Sequence, residues 1–171
     1  LAAAANGFTS NADDMMVPWE SANKNPIYQF MLDRGDIRMG ATLVDLMKSI
    51  DDPRLPFYCA KDGDGEYTGS VIGSQNENAS KPGTYVAGDV APSIVMSYAE
   101  LQFIVAEANF VLGKPTEALT ALKAGVNASV TKVTGAAMDT TWYNTNIKGE
   151  TLSLELIMTQ NYISTFGKNK A

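Results

Sequence analysis

The sequence contains no histidine and only one cysteine, Cys59. Without histidine the chain lacks the commonest general base, the usual activator of a serine or cysteine nucleophile, and the usual zinc ligand. One cysteine forms no internal disulfide and no thiolate metal cluster. Placed after the apolar "LPFY", Cys59 reads as a small buried residue. Basic residues are few as well: 13 against 19 acidic ones, for a net charge of −6 and a pI near 4.6. A nucleic-acid binder needs a basic face to displace counterions from phosphates, and an electrostatic membrane-surface binder needs one for anionic lipid, so the charge balance argues against both. No apolar run approaches the ~20 residues that span a bilayer. No basic stretch followed by an apolar one opens the chain as a secretory signal would.

What remains is a globular composition: 171 residues, 45% apolar and 19% charged, enough for one domain or a large piece of one. The opening "LAAAANGFTSNADD" starts at Leu1 rather than Met and reads as the cut edge of a longer protein. Residues 1–35 are dominated by Asn, Asp, Ser and Pro and are expected to be irregular. Residues 36–52 are expected to be helical, with Leu43, Leu46, Met47 and Ile50 on one stripe and Pro53 as the stop. Residues 53–92 form a long Gly-, Asn- and Ser-rich loop region, with short paired strands around Tyr67–Ile72 and Thr84–Val86.

Residues 93–131 read as a helix pair. In the first helix Leu101, Ile104, Val105, Ala108, Val111 and Leu112 make a broad apolar stripe, and Phe103 and Phe110 add a second face. Gly113 suits the helix end and Pro115 the next start. Ala118, Leu119, Leu122, Val126 and Ser129 continue the buried side, and the alanines at 118, 121, 124 and 128 permit close approach. Residues 132–150 form another loop. A last helix at 151–167 carries Leu152, Leu156, Thr159 and Ile163, with Ile157 and Phe166 beside them, and ends at Gly167.

Four of these segments resemble, in order, the SusD/RagB family of Bacteroidetes outer-membrane nutrient-binding lipoproteins. The strongest is the pair itself: Ser97, Tyr98, Ala99, Glu100, Leu101 and Phe103; Ala106, Glu107 and Ala108; Gly113; then Gly125, Val126, Ala128 and Ser129. Upstream, "NPIY" and "DPRLPFY" are similar to the segments that precede that motif. Downstream, "IMTQNYISTFG" is similar to the family's Gln-Lys-Tyr-Ile helix, with Asn161 at the usual lysine. The resemblance implies a mainly α fold: tetratricopeptide-like helix pairs under long irregular loops, present here as an incomplete domain. It implies a helix packed on two faces, by its partner and by the next pair. It also implies a role: holding a glycan or other nutrient at the extracellular face of the outer membrane, through a lipid anchor absent from this chain. The ligand would pass to a TonB-dependent, SusC-like transporter, with neither catalysis nor a cofactor.

The candidate chemistry has bland alternatives. Glu100 and Glu107 share a helix face about 10 Å apart, near the ~6.5–9.5 Å of an inverting glycosidase pair, but scaffold residues between helices explain them better. "DGDGE", Asp62 to Glu66, reads as a turn rather than an EF-hand loop, because the twelfth position is Gly73; weak calcium binding stays open. Sugars pack C–H faces on flat rings and bond amides through their hydroxyls, which singles out Trp142 and Tyr143 beside Asn144 and Asn146, Trp19 near Asn23 and Asn25, and Tyr67 in its glycine-rich loop. Each ring could equally anchor its loop on the core. The family offers no fixed binding motif to decide between these. A helical-repeat module that binds only protein is the rival function, and a glycoside hydrolase the weakest.

Overall fold

Side-chain caps start four of the helices, at Asn25, Ser97, Asp139 and Ser153. In the computed structural model, which describes residues 1–168, the chain divides into two compact units. One is Val17–Ser93; the other joins Leu1–Met16 to the chain from Ile94 onward. Eight helices lie among the described residues: α1 Pro26–Asp33, α2 Ala41–Ser49, α3 Leu55–Tyr58, α4 Thr84–Ala87, α5 Tyr98–Val111, α6 Pro115–Thr134, α7 Thr140–Asn146 and α8 Leu154–Thr165. None is long and apolar enough to cross a membrane.

In the unit built on α5 and α6, Ser97 accepts from the Glu100 N–H and starts α5, while Ser153 does the same for α8 through Leu156 N–H. The Leu112–Lys114 connection makes α5 and α6 antiparallel neighbours, and α8 packs on both. Phe103, fully buried, lies against Gly125, where an added Cβ would stand 3.1 Å from the ring. The alanines 99, 106, 118 and 121 are buried around this crossing. Two strands, β1 (Met15–Val17) and β2 (Ser93–Met96), pair in a two-stranded sheet.

The buried faces differ from the expected stripes. On α5 the core side is Ala99, Phe103 and Ala106, with Asn109, while Ile104, Val111 and Leu112 are 46%, 72% and 59% exposed. Small residues win the contact with α6 because they let the backbones approach, leaving the branched aliphatics outside. On α8 the buried residues are Ile157, Gln160, Ile163 and Ser164; Leu152, Leu156 and Thr159 are only half-buried.

The 17–93 unit departs further from expectation. Residues 1–35 are not wholly irregular, because Asn25 and Pro26 build an N-terminus for α1. The Asn25 Oδ1 accepts from Ile27 N–H at 2.8 Å, and its Nδ2 donates to the Ala91 carbonyl at 2.7 Å. α2 is shorter than 36–52 and buries Leu43, Val44 and Met47. It ends before Pro53 exerts any effect: Asp51 takes a left-handed φ of 47°, Asp51 N–H bonds the Lys48 carbonyl and Asp52 N–H the Met47 carbonyl, a Schellman end. Within 53–92, Thr84–Ala87 is a helical turn rather than a strand, and around 67–72 only a Gly40–Ser70 bridge forms. The expected 132–150 loop contains α7, capped by Asp139 Oδ1, which accepts from Thr141 and Trp142 N–H.

Candidate functional site

The aromatic candidates do not form one cluster. In the 17–93 unit, Trp19 is half-buried and its Nε1 donates to Ser93 Oγ at 3.0 Å, so the indole is tied to its own unit. Tyr67 is half-buried with Lys61 Nζ 5.8 Å from its ring centre, and its carbonyl accepts from Lys48 Nζ. In the other unit, Trp142, Tyr143 and Asn144 lie on helix α7 rather than in a polar link. Successive residues of a helix point about 100° apart, and here one is half-buried, one buried and one exposed. Tyr143 is only 1% exposed and packs in the core beneath Lys123 Nζ; burial pushes its phenol pKa up. Its ring therefore supports α7 and offers no open face.

The acidic candidates resolve into local structure. Asp62 Oδ1 accepts from the N–H groups of Asp64 and Glu66, and its Oδ2 accepts from Thr68 Oγ1 at 2.6 Å. The "DGDGE" segment is thus a turn folded around the Asp62 carboxylate. Among the described residues no group of three or more Asp, Glu, Cys or His side chains is placed to hold a metal ion. Glu100 and Glu107 are both half-buried on α5, and Glu100 Oε2 is buried without a hydrogen-bond partner.

A better-built feature surrounds Tyr98, the first residue of α5. Two cavities flank it. One, of about 380 Å³, is lined by Thr9, Ser10, Asn11, Asn127 and Thr131; the other, of about 460 Å³, by Gln102, Asn109, Thr116 and Thr120. Both share Tyr98 and Ala124, so they adjoin there as a two-part trough along the small alanines of α6. Among the described residues Glu117 is the only charged one lining either cavity.

The trough is held from below. Asp14 Oδ1 accepts from Tyr98 N–H at 2.8 Å, and Lys132 Nζ stands 3.3 Å from Asp14 Oδ2. Asn11 Nδ2 donates to the Ala128 carbonyl, and its Oδ1 is buried without a hydrogen-bond partner. Asp13 gathers the 9–13 segment by accepting from Thr9 N–H, Thr9 Oγ1 and Ser10 N–H; these bonds hold its carboxyl below the ordinary range. The Tyr98 hydroxyl bonds no other described residue. A ring with a free hydroxyl, flanked by amides and hydroxyls, can stack a sugar face and bond its hydroxyls. Sequence reading passed over this site because Tyr98 looked like scaffold, and Asn11 meets Ala128 across 117 residues with no local signal.

The decisive comparison is with the family described as starch-binding, associating with the outer membrane, whose model matches residues 1–170. The chain belongs to this SusD-like family. Solved SusD-like structures share its fold. A SusD homolog from Bacteroides thetaiotaomicron matches with a TM-score of 0.79 and 22% identity, over 97% of this chain and 42% of that one. A SusD/RagB family protein from the same species matches at 0.76 and 24%, over 96% and 42%. A chitin-binding SusD homolog from Flavobacterium johnsoniae matches at 0.76 and 22%, over 92% and 40%. The chain thus spans about two fifths of the length of these relatives. No curated protein matches it. The mainly α, SusD-like fold implied by the helix-pair motif is the fold found.

Proposed function

We propose that the protein captures a poly- or oligosaccharide at the extracellular face of the outer membrane and hands it, unaltered, to a TonB-dependent transporter. The family's starch-binding description and a chitin-binding relative of the same fold support the ligand class. The observation that carries the reading is the trough astride Tyr98, whose ring and neutral amide and hydroxyl groups suit uncharged sugars. Trp19 and Tyr67 in the 17–93 unit, and Trp142 and Asn144 in the other, are each assigned separate ligand contacts, and Tyr143 the support of Trp142 and Asn144 from within. The chain is read as part of one larger SusD-like domain that a lipid anchor holds at the membrane. No catalytic role falls to Glu100 or Glu107.

Affinity electrophoresis through gels containing starch, chitin oligomers or other neutral glycans tests this. Retardation by at least one glycan, reduced about tenfold in affinity by Tyr98→Ala, is the expected result; loss of one good aromatic stack is of that order. A reducing-sugar assay should detect no product. Retardation indifferent to Tyr98→Ala would remove the trough from the site.

A second reading is favoured by Ile104, Val111 and Leu112, an uncovered apolar strip on α5. It makes that helix a protein-contact face, as helical-repeat modules use. Pull-down of a transporter without any glycan affinity would favour it.

A further inference from the structure

The 17–93 unit contains a cleft of about 650 Å³ that the neutral-sugar reading does not use. Its walls come from the 34–38 turn after α1 and from the 70–77 loop. Backbone bonds lock these segments together. Met39 N–H donates to the Ser80 carbonyl at 2.8 Å, Ser70 N–H to the Met39 carbonyl at 2.7 Å, and Ala41 N–H to the Ser70 carbonyl at 2.9 Å. The approach is close enough that a Cβ on Gly69 would stand 2.2 Å from Ala41 Cα, so only glycine fits there.

Two arginines line the cleft, and they are in different electrical states. Arg34 is matched by its own neighbour: its Nη2 lies 2.9 Å and its Nε 3.1 Å from Asp36 Oδ2. Arg38 makes no ion pair with any described residue. Backbone carbonyls hold it instead: Nε donates to Glu77 at 3.0 Å, and Nη1 donates to Gly35 at 2.7 Å and to Ile37 at 3.1 Å. These three bonds fix the guanidinium plane and leave the two Nη2 N–H groups without a described acceptor. Carbonyls satisfy hydrogen bonds but do not cancel a charge, and a guanidinium does not lose its proton. Arg38 is therefore a permanent cation held in place by carbonyls, with no described carboxylate within ion-pair distance, in a polar cleft whose lining also carries Glu77.

Around it are groups suited to sugar hydroxyls. Ser70 and Ser74 hydroxyls pair with each other at 3.1 Å, and the Gln75 side chain and Asn76 Nδ2 make no hydrogen bond with a described residue. Of the two acidic lining residues, Glu77 makes no ion pair with a described residue, and its side chain is exposed.

We propose that this cleft binds a carboxylate-bearing sugar residue, with Arg38 Nη2 donating to the carboxylate and the Gln75 and Asn76 amides bonding the ring hydroxyls. The proposal rests on the glycan reading for the sugar and on Arg38 for the charge. A hydrogen bond from an ionised donor to a carboxylate is about twice as strong as one between neutral groups.

The test is calorimetric titration of the full-length protein with oligomers of galacturonate, glucuronate and N-acetylneuraminate, each against its own methyl ester, and with neutral maltotriose and chitotriose. The ester keeps the sugar and removes the charge. At least one acid should bind about tenfold tighter than its ester, and Arg38→Gln should erase that difference while leaving neutral-sugar affinity unchanged. Glu77→Gln should tighten acid binding by about two- to threefold, because it removes a like charge. Arg38→Gln also removes three carbonyl contacts, so its fold is checked first, and equal affinity of acid and ester on the unaltered protein overturns the proposal independently of any variant. Equal affinity for every acid and its ester, binding of neither, or a preference that survives Arg38→Gln in a folded protein overturns the proposal. Loss of neutral-sugar binding alone, with the acid preference intact, overturns the Tyr98 reading and leaves this one standing.

Discussion

Arg54 and Asp52 form a two-pronged ion pair in which neither side chain has any solvent exposure: Nε meets Oδ1 at 2.8 Å and Nη2 meets Oδ2 at 2.6 Å. The Arg54 backbone N–H also donates to Oδ1, so one carboxylate both ends the turn after α2 and holds the start of α3. Burial alone would lower the guanidinium pKa, but the hydrogen bonds and charge of Asp52, aided by Tyr58 and Tyr85, outweigh it and push it up. Arg54→Met strands Asp52 as a buried, uncompensated carboxylate. The expected cost is about 3–5 kcal/mol, read from the denaturant midpoint. Adding Asp52→Leu should recover much of it; a single variant as stable as the parent would show that the pair is not buried.

Cys59 is 1% exposed, and burial pushes its thiol pKa up to about 12. At neutral pH it is protonated and shielded, and only the thiolate attacks reagents. A thiol-specific chromogenic disulfide should leave the native protein unlabelled at pH 8 and label one site once denaturant is added. Prompt labelling of the folded protein would mean that this part of the 17–93 unit opens readily.

The Asp62 carboxyl sits below its ordinary value of 3.8, first because of the Thr68 hydroxyl and then because of the Glu66 N–H, with smaller help from Asp64 and Gly65 against a slight burial penalty. A pKa lowered by folding gives stability that is present above 3.8 and is lost as pH falls through the lower folded value. Carboxyl carbon NMR should place the Asp62 midpoint below 3.8, and Thr68→Val should move it back toward that value. An ordinary midpoint in the unaltered protein would dissolve the turn assigned to "DGDGE".

Much of this architecture was legible where one segment states both its caps and its packing. Gly113 and Pro115 mark the α5–α6 junction because breakers act locally; the start does not fall at 93 as expected, because 93–96 pairs as strand β2 and the Ser97 side chain caps α5 only after it. The face of α5 was harder to read. Large aliphatics normally signal the core, but Phe103 against Gly125 and a set of alanines set the close contact and leave Ile104 and Val111 outside. α1 and α7 hid in polar stretches. Asn25 and Asp139 sit in such stretches, and their side chains start helices because their oxygens accept from the N–H groups two and three residues on. The candidate sites were least visible. Tyr98 comes to line one cavity with Asn127 and Asn11 only through tertiary structure, and Arg38 stands out only once no carboxylate is found within ion-pair distance. Trp19 and Tyr67 carried the right chemistry for sugar contact, yet composition could not show that Trp19 is tied to Ser93.

The crossing of α5 and α6 depends on the absence of a side chain at Gly125. A Cβ there would lie 3.1 Å from Phe103 Cε1 and Cζ and 3.2 Å from Cδ1, and the ring is fully buried with nowhere to retreat. Alanine gains about 1 kcal/mol of helix propensity over glycine, which partly offsets the crowding. Valine gains less and adds two methyls at the tightest point, so Gly125→Val should destabilise by about 1–3 kcal/mol. The helices would spread, and the Ala121 and Ala124 floor of the Tyr98 trough would shift with them. Glycan affinity should therefore fall in a variant that is still folded at low temperature. Pairing Gly125→Val with Phe103→Leu supplies the missing room, and recovery of both the unfolding midpoint and the affinity would trace the loss to this one contact. Full stability and full binding in the single valine variant would mean that the helices do not meet at Gly125.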